Sequence, residues 1–342
     1  MACAIAIHPE WNETETMTSR ADEAISIAGE IFGRPVDRVD RLVASSVRAI
    51  RLGSGGETLI AARRPSEDRA ALEAAVLTGL SEHGAPVPGL IAQRGRWVFQ
   101  EDLPGERLSV ALWNPAHDSE ASLRRALDTL AGIHEAGRRA GLDRRVARLG
   151  TATDWRRRLA GMPERLAQVS GTALPGYDRT ALADRLAPRA FALVKWDARP
   201  ANAMLSSDGA IRWFDWEHCG CRDPLDDAAW LLGDEYLPDP DGAALLEHAV
   251  ERIAGNAGGA RNYLLAMTVL HMSVRLALIL EKRESHGGWR DWETCLKLDK
   301  VGSTALAFRR TAGRAGRWAA EDPLLAPLAR FFEALADWTP DA

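Results

Sequence analysis

Cysteine is scarce in this 342-residue chain. Its four thiols, Cys3, Cys219, Cys221 and Cys295, have neither a metal-finger spacing nor the paired framework of a small secreted protein. Cys219 and Cys221, one glycine apart, are poorly placed to bridge each other, so a reduced, cytoplasmic setting is expected. Positive charge is not in excess either. Lys+Arg 43 against Asp+Glu 48 leaves a net charge of −5, with the signs mixed, which argues against nucleic acid as the main partner because phosphate backbones need a basic face. The N-terminus lacks the basic start and apolar core of a secretion signal. The most apolar long run, residues 263–280, is interrupted by His271, Ser273 and Arg275, which are costly at a bilayer centre; it reads as a buried helix, with no membrane partner. No repeat or low-complexity tract stands out. The length suits one large domain or two lobes with a proper core.

What the chain does have is a compact polar constellation. Val194-Lys195-Trp196-Asp197-Ala198-Arg199-Pro200-Ala201-Asn202 and Trp213-Phe214-Asp215-Trp216-Glu217 bring an Asp, an Asn and a second Asp into one hairpin-sized stretch. Between them, Ala203-Met204-Leu205 and Ala210-Ile211-Arg212-Trp213-Phe214 read as short strands joined through Ser206-Ser207-Asp208-Gly209, and Asp-Gly between apolar runs signals a hairpin. A turn at Asp208-Gly209 would set Asn202 directly opposite Asp215. A four-residue loop would make them diagonal neighbours on one face. Either way a carboxylate and an amide oxygen meet, a donor pair that suits Mg²⁺, which is typically held by few protein groups plus phosphates. Asp197 precedes Asn202 by five residues. The order Asp, Asn, distant Asp matches the phosphoryl-transfer arrangement in which the first Asp takes the acceptor's hydroxyl proton and the other two hold metal ions on the nucleotide. Each residue alone is an ordinary turn or cap residue; the ordered triplet points to chemistry.

Residues 194–230 resemble the aminoglycoside phosphotransferase and choline kinase-like family of small-molecule kinases. That family typically reads His-Gly-Asp-x-x-Pro-x-Asn, then a strand ending Ile-Asp-Trp-Glu, then Gly-Asp-Pro-x-x-Asp-x-Ala. Here the corresponding segments are Lys195-Trp196-Asp197-Ala198-Arg199-Pro200-Ala201-Asn202, Phe214-Asp215-Trp216-Glu217, and Arg222-Asp223-Pro224-Leu225-Asp226-Asp227-Ala228-Ala229. The departure is Lys195-Trp196 in place of His-Gly. The resemblance implies an α+β, two-lobed protein kinase-like fold with a small antiparallel-sheet N-lobe and a larger, mainly helical C-lobe. It also implies ATP and Mg²⁺ as cofactors, Asp197 as the residue that activates the hydroxyl, and Asn202 and Asp215 as metal ligands.

The N-terminal half supplies what such a site needs. Val47-Arg48-Ala49-Ile50-Arg51-Leu52 and Thr58-Leu59-Ile60-Ala61-Ala62-Arg63 read as two strands around Gly53-Ser54-Gly55-Gly56. Residues 68–83 carry Leu72, Ala75, Val76, Leu77 and Leu80 at helical spacing and end at Gly84, a C-cap residue. By resemblance, Arg63 would neutralise nucleotide phosphates and Glu73 would hold it in place. A phosphate-covering loop is expected near Ala44-Ser45-Ser46, with Ser45 and Ser46 as contacts; it contains no glycine, so the Gly-rich fingerprint of protein kinases is missing. The stretch after Trp97-Val98-Phe99-Gln100 resembles the family's hinge, with backbone groups from Glu101 to Leu103 meeting the adenine edge. The same stretch also fits a strand followed by a Pro-Gly turn.

From about residue 106 the periodicity is helical, with candidates at 119–138, 154–166, 180–186, 223–232, 241–254 and 324–337. His134 reads as structural. Asp223-Pro224 is a helix start, Asp capping free amides and Pro occupying the first turn. The acidic residues that follow have two readings, capping or a negative rim for a cationic acceptor such as an amino sugar or choline-like alcohol. Glu217, Asp227, Trp230 and Glu235 are the substrate-contact candidates, Trp230 through a cation–π contact or, equally, through core packing.

The organisation expected is an N-terminal extension at 1–20, partly disordered, a nucleotide-binding N-lobe at 21–101, a hinge at 102–106 and a C-lobe at 107–342, as monomer or homodimer. The activity expected is transfer of the γ-phosphate of ATP to a hydroxyl of a small molecule. Its first rival is a weak or inactive kinase-like nucleotide-binding protein, which Lys195 and the glycine-poor loop favour. A metal-dependent hydrolase built on Asp197, Asp215 and Glu217 is the second, although it lacks the His ligands such sites usually recruit.

Overall fold

The structure is a computed structural model that describes residues 17–41, 49–238, 242–255, 257–298 and 300–338. Cys3, Ser45 and Ser46 lie outside the described residues. The N-terminal part is a five-stranded antiparallel sheet in the order β1-β2-β3-β5-β4, preceded by helix α1 (Met17–Phe32), which begins inside the stretch read as an extension. Its strands are β1 (Arg38–Arg41), β2 (Ala49–Ser54), β3 (Glu57–Arg63), β4 (Leu90–Arg94) and β5 (Trp97–Glu101). Helix α2 (Glu67–Glu82) follows β3, with the Ser66 hydroxyl accepting from Arg69 N–H at its N-terminus. The β2–β3 turn is only Gly55-Gly56, shorter than the four residues read from the sequence. Both glycines have positive φ (56° and 88°), and Ser54 pairs with Glu57, as a two-residue turn matched to strand twist requires.

Strand alternation assigns the sheet's two faces. Ile50, Leu52, Leu59, Ala61, Trp97 and Phe99 share one face and pack against Ala24 and Ala28 of α1. The Trp97 indole N–H reaches Glu23 at 2.8 Å. Val98, on the other face, joins Ala70, Val76, Leu77 and Leu80 of α2 in the large core that continues into the C-terminal part.

Past β5 the chain crosses at Asp102, held by Arg51 at 2.7 Å, and turns at Gly105. A Cβ there would sit 2.2 Å from Leu205 O, and φ is +118°, so only glycine fits. Short elements β6 (Glu106–Arg107) and α3 (Leu108–Ala111) lead into α4 (Ser119–Arg139). Next come α5 (Thr153–Ala160), α6 (Met162–Ser170) and α7 (Arg179–Arg185). The single helix read over 154–166 is thus two, divided at Gly161-Met162-Pro163, where proline suits a first helical turn and not an interior. Strand β7 (Ala192–Val194) feeds the acidic segment. It is followed by β8 (Ala203–Leu205), β9 (Ile211–Trp213) and β10 (Gly220–Arg222). Then come α8 (Leu225–Leu232), α9 (Gly242–Ala254), α10 (Ala260–Ser285), α11 (Trp292–Lys297), α12 (Ala305–Ala319) and α13 (Ala329–Asp337). Asp223 Oδ1 accepts from Leu225 N–H at 3.1 Å at the start of α8. Helix α10 contains the long apolar run and is apolar enough to cross a membrane, yet its most apolar window is 94% buried inside the protein. It packs against α6, α8, α9 and α12.

Candidate active site

The acidic constellation lies where β7, the β8–β9 hairpin and α2 converge. β8 and β9 pair Ala203 with Trp213 and Leu205 with Ile211. Ser206 N–H donates to Ala210 O at 3.0 Å and Gly209 N–H to Ser206 O at 2.9 Å, which leaves a three-residue loop closed by Gly209 at φ 81°, a common hairpin connection. This is neither of the registers read from the sequence. Asn202 stands opposite Phe214, whose N–H donates to Asn202 O at 3.0 Å. In a regular strand Asp215 would then point to the opposite face from Asn202. The backbone prevents that: Asp215 has φ +62°, a left-handed conformation unusual for a residue with a Cβ, and the chain leaves the strand there.

Asp197 is held by Asn202. Its Nδ2 donates to Asp197 O at 3.0 Å and to Asp197 Oδ2 at 2.8 Å, so the amide oxygen of Asn202 is directed away from Asp197. Lys195 Nζ, fully buried, donates to Asp197 O at 2.9 Å and Asp215 O at 2.8 Å. The backbones of the two acids are thereby tied to one ammonium. The preceding turn rests on Asp227, whose two oxygens accept Lys195 N–H at 2.9 Å and Trp196 N–H at 2.8 Å. Trp196 also has a left-handed φ, +71°. That explains why the family pattern has glycine at this position, and the conformation costs a tryptophan roughly 1–3 kcal/mol. The indole compensates by packing between Trp155 and Trp230, with ring centroids 5.7 and 6.1 Å away.

The cation facing this site is Arg64, not Arg63 as the resemblance implied. Glu73 takes Arg64 in a bidentate pair, with the Nη2–Oε1 bond at 2.6 Å. The same guanidinium lies 3.0 Å from Asp215 Oδ1 and 3.8 Å from Glu217 Oε2. The reason is strand alternation: Arg63 pairs with Trp97 and so belongs to the face that α1 covers, whereas the next residue turns towards α2. Burial alone would lower the Arg64 pKa, but Glu73, Asp215 and Glu217 outweigh it and raise it, so the charge is fixed. Glu73 Oε1 also accepts Trp216 N–H at 3.2 Å, which fastens α2 to the turn that bears Asp215.

Backbone groups from Glu101 to Leu103 are the expected adenine contacts. The Glu101 N–H donates to Gly89 O at 2.9 Å. Its carboxylate grips Arg212 of β9 through two bonds of 2.6 Å; that guanidinium holds the Glu101 carboxyl below its ordinary pKa. Leu103 is buried, and among the described residues its N–H meets no acceptor.

The four substrate-contact candidates are not on a rim. Glu217 is buried beside Arg64. Asp227 is fully buried, and besides bracing the turn it accepts His134 Nε2 at 2.9 Å, which gives His134 the structural role read for it. Glu235 is fully buried in a bidentate pair with Arg275, its Oε2 bond at 2.6 Å. Those guanidiniums, Arg275 first and then Arg199, overcome the effect of burial and depress the Glu235 pKa. Trp230 packs against His271, with ring centroids 4.2 Å apart and planes tilted by 51°. A carboxylate cannot be buried without partners, and each of these has found one inside the fold. Arg199, two residues after Asp197, belongs to the same interior network through a 2.7 Å bond to Asp234; it did not stand out in the sequence because its partner is 35 residues away, and Arg64 did not because only the sheet face distinguishes it from Arg63.

The donor chemistry fits a hard divalent cation. Asp215 supplies a carboxylate that is 33% exposed, Asn202 an amide oxygen not spent on Asp197, and few protein oxygens are what Mg²⁺ with phosphates requires. No cluster of three or more His, Cys, Asp or Glu suited to a metal occurs among the described residues, so a self-sufficient metal centre of the hydrolase type is not formed by them.

Comparison with known proteins shows the family and the fold. The phosphotransferase enzyme family matches residues 42–262, well over half of the chain, and the chain belongs to that family. Among solved structures, a choline/ethanolamine kinase family protein from Mesorhizobium loti shares 16% identity, covering 92% of this chain and 100% of its own, with a TM-score of 0.53. A macrolide 2′-phosphotransferase from Brachybacterium faecium shares 17% identity over 78% of this chain and 93% of its own, at 0.52. A spectinomycin phosphotransferase crystallised with AMP shares 10% identity over 84% and 97%, at 0.54. At such identities the likeness establishes the two-lobed kinase-like fold. No protein with a curated description matches the sequence.

Proposed function

We propose that the chain is an ATP-dependent phosphotransferase that moves the γ-phosphoryl group to a hydroxyl of a small molecule, in the cytoplasm. The carrying observation is the tie between Asp197, Asn202 and Asp215: one amide fixes Asp197 from below and one ammonium joins it to the metal-ligand candidate. Asp197 Oδ2 is committed to Asn202, which leaves Oδ1 to accept the proton of an alcohol as its oxygen attacks phosphorus. Mg²⁺ and ATP, when bound, supply the phosphoryl group and neutralise its charge. Asn202 and Asp215 would hold the metal, and Arg64, kept charged by Glu73, would meet phosphate oxygens. The AMP complex of the spectinomycin enzyme supports nucleotide binding by this fold. Buried free thiols at Cys219, Cys221 and Cys295 support a reducing compartment.

An amino sugar, an amino alcohol or a sugar-like alcohol fits as acceptor. Glu217, Asp227 and Glu235 are buried, so they give no reason to require a cationic one. The sequence's arguments for an inactive relative are Lys195 in place of histidine and the glycine-poor loop; the loop lies outside the described residues, and the two hydrogen bonds of Lys195 supply the bracing which the exchange put in doubt.

The test is a thermal-shift titration with ATP, ADP and GTP, with and without Mg²⁺, on wild type and Asp215→Ala, followed by a screen of these alcohols for phosphorylation. The expected result is stabilisation by Mg·ATP that shrinks in the variant. No shift with any nucleotide at millimolar concentration would overturn the assignment.

A further inference from the structure

Lys195 is among the largest side chains with no exposed surface. Burying an ammonium is costly unless its N–H groups find acceptors. A carboxylate is the usual partner, yet among the described residues none lies within ion-pair distance of Nζ. Its partners are two backbone carbonyls, Asp197 O and Asp215 O, at 2.9 and 2.8 Å, and the face of Trp216, whose centroid is 5.9 Å away. The two carbonyls belong to residues 18 positions apart, one the hydroxyl-activating candidate and the other the metal-ligand candidate.

The backbone around this ammonium is under strain on both sides. Trp196 and Asp215 are the two non-glycine residues with positive φ among those described, and each adjoins or accepts from Lys195. Such conformations persist only where the surroundings over-determine them. Around Trp196 that is done by Asp227 and by ring packing. At Asp215 the ammonium bond fixes the carbonyl of the strained residue itself. Asp197 O is held by Lys195 and by Asn202 Nδ2, whereas Asp215 is held by Arg64 at its carboxylate and by Lys195 at its carbonyl, so removing the ammonium acts on the Asp215 backbone as well as on Asp197.

We propose that Lys195 is a positioning residue for phosphoryl transfer, an internal cation that sets the separation between the Asp197 carboxylate and the Asp215 metal ligand. The inference rests on the kinase reading above. A side chain that merely filled space would leave the metal requirement untouched. One that positions Asp215 acts on metal use and turnover together and spares nucleotide affinity, because Arg64 stays anchored by its bidentate pair with Glu73 and the hinge lies on another element.

The test uses the full chain as wild type, Lys195→Met and Lys195→His. Methionine keeps length and apolar bulk while removing the donors; histidine is the residue of the family pattern and restores an N–H donor. Two quantities are read: the Mg²⁺ concentration giving half the thermal stabilisation in the presence of ADP, and kcat and KM for ATP hydrolysis, with water standing in for the alcohol. For Lys195→Met we expect the Mg²⁺ half-point to rise about tenfold and kcat to fall about 100-fold, the scale of a misplacement near 1 Å, with KM for ATP within roughly threefold of wild type. Lys195→His should recover at least about tenfold of the lost kcat. An unchanged or lower Mg²⁺ half-point in Lys195→Met, or a kcat equal to wild type, would overturn the inference. If Lys195→Met does not fold, Lys195→Gln, uncharged and one bond shorter, is read in its place: a raised Mg²⁺ half-point with lowered turnover supports the inference, and a folded variant with neither altered overturns it. Wild type without any Mg·nucleotide stabilisation would overturn the kinase reading itself; normal wild-type behaviour with an indifferent Lys195→Met would overturn this inference alone.

Discussion

Two groups of acidic residues lie within the segment from Lys195 to Glu235, and the fold treats them in opposite ways. In front, Asp197 is half-buried and Asp215 about one-third exposed. Behind, Asp223, Asp226, Asp227, Asp234 and Glu235 are entirely buried. Each of these has guanidinium, hydroxyl or backbone N–H partners: Arg189 for Asp223, Arg222 and Tyr263 for Asp226, the Lys195-Trp196 turn for Asp227, Arg199 for Asp234, Arg275 for Glu235. Residue type and proximity in sequence do not separate the groups. The accounting of buried oxygens does, because an interior carboxylate must be fully paired while one at a reaction centre must keep an oxygen for its substrate.

The comparison is broken if the front residues prove structural or the rear ones catalytic. The largest effect is expected at Asp197→Ala: ATP turnover should fall at least about 10³-fold while Tm and ADP stabilisation stay close to wild type. A variant that turns over normally removes Asp197 from the chemistry. Asp227→Ala should behave the other way round, losing about 3–5 kcal/mol of stability because three donors lose their buried acceptor. Chemical denaturation measures this, and a stable Asp227→Ala that had lost only activity would return Asp227 to the site. Between the two lies the arginine pair. Arg64→Ala should raise the KM for ATP about tenfold or more, and Arg63→Ala much less; equal effects would mean that face alternation does not distinguish them.

The smallest expected effect is a pH dependence at the rear. Burial first, and Arg275 beside it second, hold the His271 pKa well below 6.5. The imidazole stays neutral in the folded chain while the unfolded chain takes up a proton below about 6.5. Stability is therefore fully present above that pH and is lost as pH falls, at up to about 1.4 kcal/mol per pH unit for one group. Comparing denaturation of wild type and His271→Phe from pH 7.5 to 5.5 isolates this contribution, and parallel curves would deny it.

The correspondence between sequence and structure differs from one element to the next. Ser119–Arg139 and Glu67–Glu82 are found within a residue of the apolar periodicity, since an amphipathic helix writes its buried face into the chain. Helices α1 and α12 were not read at all. The β8–β9 hairpin was recognised from Asp208-Gly209, but its register was not, because two-, three- and four-residue loops share those turn residues. Asp197, Asn202 and Asp215 could be picked out because their order and spacing lie within one short segment. Arg64 could not, because the choice between neighbouring arginines depends on which sheet face α2 covers.

Local matters are written in the chain: the amphipathic helices, the glycine turns, the acidic triplet, and through these the family and fold. Their physical basis is short-range, lying in side-chain periodicity and backbone sterics. Which charges are spent follows from the folded arrangement. It alone placed Arg64 on Glu73, turned Asp227 and Glu235 inward onto their partners, and set the Lys195 ammonium between two carbonyls 18 residues apart. Those outcomes depend on desolvation and long-range pairing, which exist only once the chain has closed on itself.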